Sequence, residues 1–311
     1  MTNDTIGVDI SKDHLDAYRM RDGASRRFAN DRTGHQAFIG WVGQSGSRIV
    51  YEPTGPYHRA LERRLADAGF ALVKVNPRQA RRFAEATGKL AKTDRLDAAM
   101  LARMGALLDL EARPVRSPIL NDLKDLHMAR QALVKSRTAA KNRAKNLTLT
   151  ILKRHNGEQL RQIERQIAAI ETEIMAIIKA DPDLARRFAI LVSIPGVSAI
   201  TGFALLIELP ELGTLENGQA ASLAGLAPVA RQSGNWTGRA FIRGGRANVR
   251  QALYMPALVA IRFNPDLKAK YEQLKAAGKA SKVAITAVMR KLVILANTLI
   301  RDGRIWTPSR P

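Results

Sequence analysis

The sequence predicts an α/β domain at the N-terminus, a helical middle and a mainly α-helical C-terminal part. Three observations predict it. Residues 5–110 alternate short apolar runs with helical periodicity. Residues 119–180 are almost free of glycine and repeat their apolar positions every three or four residues. From 183 onward the pattern stays mostly helical. Hydrophobic residues make up 46% of the 311 residues and aromatics only 5%. The cores should therefore be built from Ala, Leu, Ile and Val, a composition that favours helices.

Taken in order, Thr5–Ile10 (TIGVDI) reads as a buried strand, and 14–20 and 25–30 as two more. Residues 48–52 (RIVYE) form a short strand ending in an acid. Residues 56–68 have helical periodicity, 70–75 (FALVKV) is an apolar strand, and helices follow at 77–87 and 92–108. Strands first and then αβα is the pattern of helices around a mixed sheet, assigned here to a domain spanning 1–116.

A helical segment spans 117–182, with a break expected at His155-Asn156-Gly157. Leu160, Ile163, Ile167, Ile170, Ile174 and Ile177 make an a/d seam. That seam suits an antiparallel helical hairpin or a dimerising coiled coil. Its first arm carries Lys135, Arg137, Lys141, Arg143, Lys145, Lys153 and Arg154, either a solvated face or a nucleic-acid contact. Asp181-Pro182 ends the segment. Residues 183–311 form the last domain, with a Gly-rich irregular stretch at 231–246 and an Ala/Val/Leu-rich core helix near 280–301.

The formal charge is +22. Such an excess points to a nucleic-acid partner, on whose phosphates Lys and Arg replace condensed counterions. The absence of cysteine removes disulfides and thiolate zinc sites. The first residues, MTNDTIGVDI, lack the basic and apolar regions of a signal peptide. No run of about 18 apolar residues is expected to span a membrane. The expected location is the cytoplasm, with the nucleoid.

Asp9 follows Gly7-Val8 at the end of the first strand, and Glu52 closes RIVYE. Asp94 and Asp97 are three residues apart in KTDRLDA and share a helix face. Each alone suits an N-cap or a solvated group. Together they can converge, and a hard divalent cation relieves the repulsion among clustered carboxylates. Two such ions about 4 Å apart can activate a nucleophile and stabilise a leaving oxygen at a phosphodiester.

GVDISK, YEPTGPYH and KTDRLDAAMLA resemble the N-terminal domain of the DEDD transposases of small bacterial insertion sequences. That domain is similar to the Holliday-junction resolvase RuvC, of the ribonuclease H-like fold. The resemblance implies a RuvC-like domain whose acidic tetrad falls on Asp9, Glu52, Asp94 and Asp97 and binds Mg2+.

Ser233 precedes Gly234 in a stretch bounded by Pro228 and Gly238, with Arg231, Arg239, Arg243, Arg246 and Arg250 around it. Arg246 and Arg250 line one helix face. Gly244-Gly245 before a helix lets backbone approach a phosphate. Ser233-Gly234 can equally be a plain turn. As a nucleophile, Ser233 would need a base or metal to take its proton. Its phosphoserine ester would conserve the bond energy for religation, with the arginines stabilising charge at phosphorus.

SGNWTGRAFIRGGRANVRQALYMPALVA is similar to the C-terminal transposase domain of the same family, where the serine before this glycine is the nucleophile, here Ser233. IPGVSAITGFALLIELPELG (194–213) resembles the family's linking motif, of helix-hairpin-helix type; a simple αα-corner is the plainer reading. The resemblance implies dimers and tetramers, active sites shared between protomers, and a structured bridge RNA pairing with target and donor DNA. Three functions follow: an RNA-guided serine recombinase with metal help, a RuvC-like nuclease activating water, or a non-enzymatic nucleic-acid-binding protein.

Overall fold

The computed structural model describes residues 4–43, 47–88, 94–112, 115, 117–234 and 236–308, with Asp94 and Arg95 described by backbone only. The chain forms two compact units, 1–116 and 117–311.

In the first unit, β1 (Thr5–Ile10), β2 (His14–Arg19) and β3 (Ser25–Ala29) form an antiparallel meander. β4 (Arg48–Tyr51) and β5 (Ala71–Lys74) run parallel to β1, giving the order β3-β2-β1-β4-β5. Side chains alternate across a strand, and the two faces carry different cores. Ile6, Val8, Ile10, Leu15, Ile49 and Leu72 pack beneath α1 (Arg32–Val42) and α2 (Arg59–Asp67), whose Phe38 and Leu61 are buried with them. Val50 and Val73 face the other way, against α3 (Pro77–Ala86) and α4 (Asp94–Leu107), through Ala80, Leu101 and Met104. The architecture is a mixed sheet between two helical layers, as the RuvC-like resemblance implies.

Every strand of this unit stands within a residue or two of its expected bounds. Helix α1 was not foreseen. Asp31 caps it, accepting from the Gly34 amide at 2.8 Å. Two glycines in the run RTGHQAFIGWV weaken its helical signal. The structure starts α2 at Arg59 rather than 56, because Gly55 takes a positive φ of 48° and the chain turns first.

In the second unit, α5 (Pro118–Ala144) and α6 (Thr150–Ala180) form a hairpin. Lys141 reaches Glu164 at 3.6 Å and Arg130 reaches Glu171 at 2.7 Å, so the helices run antiparallel. The break expected at His155-Asn156-Gly157 is absent: α6 runs through it, and the turn lies at 145–149. One helical glycine costs only about 1 kcal/mol. Buried Asn156 offsets it by donating to the Ala140 carbonyl at 3.2 Å and accepting from Arg143 at 3.3 Å. Of the expected seam Ile163, Ile167 and Ile174 are buried, Leu160, Ile170 and Ile177 are half-buried, and Ile178 is buried beside them.

α7 (Pro182–Ser193), α9 (Asn217–Leu223), α10 (Ala247–Phe263) and α11 (Pro265–Ala276) pack against α12 (Ser281–Asp302), and α8 (Ala199–Glu208) packs against α7 and α10. Against the expectation for membrane-length runs, α12 is long and apolar enough to cross a bilayer. Val288, Leu292, Val293 and Ala296 are nonetheless buried within the unit, as expected of a core helix. Much of the stretch 231–246 is also not irregular. β6 (Pro228–Ser233) and β7 (Trp236–Ile242) pair antiparallel as a two-stranded ribbon. Almost every residue of the ribbon is exposed, so no buried face gives the alternation that marks a strand.

Candidate active site

Val8 pairs with Tyr51 across the parallel β1–β4 ladder. The next residues, Asp9 and Glu52, are therefore neighbours about 5 Å apart on one sheet face, at the carboxyl ends of their strands. That position is where open α/β sheets bind ligands. The face is the one that Gly7 presents to α4. A Cβ on Gly7 would stand 1.9 Å from the Ala98 carbonyl oxygen and 2.5 Å from the Ala102 nitrogen. At the other end a Cβ on Gly105 would meet the Val50 side chain at 2.3 Å and that of Thr5 at 3.3 Å. Helix α4 thus runs antiparallel to β1 in close contact, with Gly105 over Thr5 and Ala98 over Gly7.

Extending both elements by about 3.3 Å per strand residue and 1.5 Å per helix residue brings the first turn of α4 over Asp9. That turn holds Asp94 and Asp97. Asp97 shares a helical stripe with buried Leu101 and Met104, which face the sheet. The fold therefore brings Asp9, Glu52 and Asp97 to one sheet end, and the backbone of Asp94 with them; the Asp94 side chain lies outside the described residues. Among the described residues no three acidic or histidine side chains stand close enough to hold a metal ion. The donors are all carboxylates on separate elements, a chemistry that fits a hard divalent cation.

The loops after the two strands are tied together. Asn30 donates to the Ser11 carbonyl at 2.8 Å and the Tyr57 carbonyl at 3.2 Å, and meets His35 Nε2 at 2.7 Å. On the opposite face Tyr51, the residue before Glu52, donates to Glu62. Glu62 is buried and paired with Lys74 Nζ at 2.5 Å, and His58 Nε2 stands 3.8 Å away. Burial, with the Glu62 charge beside it, pushes the Tyr51 hydroxyl far above its ordinary range. Burial first and then the Lys74 charge pull His58 below its usual value, so the imidazole is neutral at pH 7.

Ser233 is in the other unit, at the end of β6. It pairs with Trp236 across the tip of the ribbon, and Gly234 takes the positive φ of 53° that the turn requires. Its side chain is exposed.

Two models of one family match the two halves of this arrangement. A model described as a transposase of the DEDD type of IS110 matches residues 6–153. One described as a transposase of the IS116/IS110/IS902 family matches 188–272. The chain belongs to the IS110 family of transposases. Similar proteins include the pilin gene-inverting protein of Moraxella bovis, 29% identical over 98% of each chain. That of Moraxella lacunata is likewise 29% identical over 98% of each. The IS110 insertion-element protein of Streptomyces coelicolor is 27% identical over 53% of this chain and 40% of its own. The activity of the family is DNA recombination, and its substrate is DNA.

The transposase uses its arginines unequally. Arg246 binds Glu211 with both terminal nitrogens, at 2.7 and 2.5 Å, and donates to the Glu208 carbonyl at 2.6 Å. Arg250 donates to the Gly244 carbonyl at 3.0 Å. A Cβ on Gly245 would stand 2.2 Å from the Gly225 nitrogen, so Gly244-Gly245 is packed against the α9 terminus. These groups fix the base of the ribbon. Arg231, Arg239 and Arg243 are exposed. The 194–198 turn between α7 and α8 is wedged on α10, since a Cβ on Gly196 would meet the Pro256 carbonyl oxygen at 2.7 Å.

Sequence reasoning missed three residues of the transposase. Asp16 pairs across the ladder with Asp9 on the same face and accepts from Arg27 at 2.9 and 2.8 Å. The two-residue period of β2 could have shown it. Asn30 and Glu62 carried no local signal, because their partners are distant in sequence.

Proposed function

We propose that this transposase cuts and rejoins DNA through Ser233, assisted by magnesium held by Asp9, Glu52, Asp94 and Asp97. The single observation that carries the reading is the strand register at the sheet end. Asp9 and Glu52 directly follow Val8 and Tyr51, which pair on adjacent parallel strands, and α4 packs closely along β1 with its first turn towards that end. Bound there, the metal would lower the pKa of an oxygen ligand and offset charge at a phosphodiester. Ser233 Oγ forms a bond to phosphorus as the P–O bond to the leaving sugar oxygen breaks. The hydroxyl proton passes to a base, and the departing oxygen takes one up. No water is consumed. Return of a new strand end reverses the chemistry and releases the serine. Exposed Arg231, Arg239 and Arg243 bind phosphates during the exchange, while Arg246, Arg250 and Gly244-Gly245 hold the ribbon base.

The name of the Moraxella relatives, which invert a pilin gene, fits the same cut-and-rejoin chemistry. The resemblance of the motifs adds a bridge RNA that selects target and donor DNA, and a dimer or tetramer in which acids and serine come from different protomers. The net charge of +22 supports polyanionic partners of both kinds. The site of action is the cytoplasm and its DNA.

The test is a trapping experiment with the DNA that flanks the gene, including any RNA encoded there. Denaturing gels should show a covalent protein–DNA adduct in the wild type, lost in Ser233→Ala and in Asp9→Ala. Cleavage that survives Ser233→Ala and leaves free ends would replace this reading with metal-activated hydrolysis.

A further inference from the structure

The β6–β7 ribbon has two distinguishable faces. Ser233 pairs with Trp236, Arg231 with Gly238 and Val229 with Phe241. Directly paired residues point the same way, and alternate residues share a face. From Val229 to Arg231 is two steps in β6, whereas Gly238 to Phe241 is three in β7, so the register shift places an extra residue in β7. Phe241 is thereby returned to the side of Trp236. The Arg231 guanidinium, 5.2 Å over the Phe241 ring, agrees with that assignment. One face therefore carries Val229, Arg231, Ser233, Trp236 and Phe241.

Trp236 is 59% exposed. Its ring lies against Gly238, where a Cβ would stand 2.3 Å from the nearest ring atom. Backbone supports one side of the indole, and much of the ring remains open to solvent. Val229 and Phe241 beside it are also exposed. A two-stranded ribbon with no core beneath it is marginal in water, so a partner that covers this face would stabilise it.

The charge pattern selects the partner. Residues 217–265 contain no Asp or Glu, while Arg231, Arg239, Arg243, Arg246, Arg250 and Arg262 fall within them. A surface of arginines interleaved with aromatics suits a nucleic-acid strand, with phosphates on the cations and bases on the rings. A base stacks on an indole only when its own face is free, which in a duplex requires unstacking.

We propose that the Trp236 indole is a stacking platform for a DNA base displaced from its duplex beside the phosphate that Ser233 attacks. The proposal rests on the reading of Ser233 as nucleophile for the position of that base, and on the ribbon itself for the stacking. Arg231 stands on the same face to meet the adjoining phosphate.

Two measurements test it on the full-length chain. The protein has three tryptophans, so W41F/W306F leaves Trp236 as the sole indole. A mixed-sequence single-stranded DNA oligonucleotide should quench its emission about twofold, and a fully paired duplex should quench it less. DNA binding seen by mobility shift without quenching, or quenching by RNA of the same sequence and not by DNA, overturns the proposal. The second measurement keeps the natural tryptophans. W236A should lower the adduct yield about tenfold on a matched duplex and recover it on a duplex mismatched at the scissile step, with W236F close to wild type. Equal loss on both substrates would make Trp236 a structural residue and sink the proposal. Quenching by DNA in a protein that forms no adduct supports the stacking and removes the nucleophile reading instead.

Discussion

The two halves of the candidate chemistry are carried on opposite kinds of scaffold. Asp9 and Glu52 end strands covered by helices on both faces, where Ile6, Val8, Ile49 and Val50 are fully buried. Ser233 ends a two-stranded ribbon that is exposed on both faces. Carboxylates that must converge repel one another, and only a rigid frame holds them together. A residue proposed to meet a large polymer gains from reach and openness, and among the described residues Arg246 and Arg250 hold the base of its ribbon. In this transposase burial surrounds the candidate acids, and exposure surrounds the candidate serine.

The largest expected effect breaks the rigid half. Gly7→Val would drive a side chain into the Ala98 carbonyl and lift α4, with Asp97, off the sheet. Overpacking of that kind costs about 1–3 kcal/mol or more. Thermal melting should show the first unit destabilised or unfolded, and a wild-type melting curve would refute the close approach. Glu62→Ala should come next. It leaves the buried Tyr51 hydroxyl without its acceptor, which costs about 1–3 kcal/mol, while the exposed Lys74 ammonium returns to water. Denaturant unfolding would measure the loss, and a change below about 1 kcal/mol would mean that Glu62 is not anchoring the strand end.

The helical core of the second unit supplies a pH test of whether openness is confined to the ribbon. His127 is buried beside Glu208, and burial lowers its pKa from 6.5 to about 4. The unfolded chain takes up the proton at a higher pH than the folded one does. Stability should therefore fall as the pH drops from about 6.5 towards about 4, by about 3 kcal/mol in all. Burial works against the Glu208 charge, but Lys124, Asn248 and His127 outweigh it and hold that carboxyl below its ordinary value. Its contribution is lost on acidification as well, in the same direction. His127→Gln should flatten the slope between pH 6.5 and 4 in pH-dependent denaturation; an unchanged slope would place the titration elsewhere.

The smallest effect belongs to the ribbon. Thr237→Ala, on an exposed strand, should change stability by less than about 0.5 kcal/mol. In hydrogen exchange the amides of β6 and β7 should exchange before those of β1. Protection of the ribbon equal to that of β1 would erase the contrast between the two scaffolds.

Much of this was legible in the chain. The apolar runs 5–10, 48–51 and 71–74 announce themselves because a doubly covered strand is apolar on both sides. The acids stood out at strand ends and at a three-residue spacing. Less was legible where structure depends on partners far away in sequence. Asn156-Gly157 looks like a break until the Asn156 amide is bonded to the Ala140 carbonyl of α5. The ribbon looks like loop because its residues are almost all exposed and show no alternation. Arg246 looked like a phosphate ligand, whereas its guanidinium is engaged by Glu211, 35 residues away.

By itself the sequence determined the strands of the first unit and pointed to an acid set, a serine and a polyanionic partner, because these rest on local periodicity, residue type and net charge. Tertiary structure alone decided that Asp9 lies beside Glu52 beneath α4, that Asn30 ties their loops, and that Ser233 shares a face with Trp236. Those facts are set by strand register and helix crossing, which arise from contacts between residues that the linear order keeps apart.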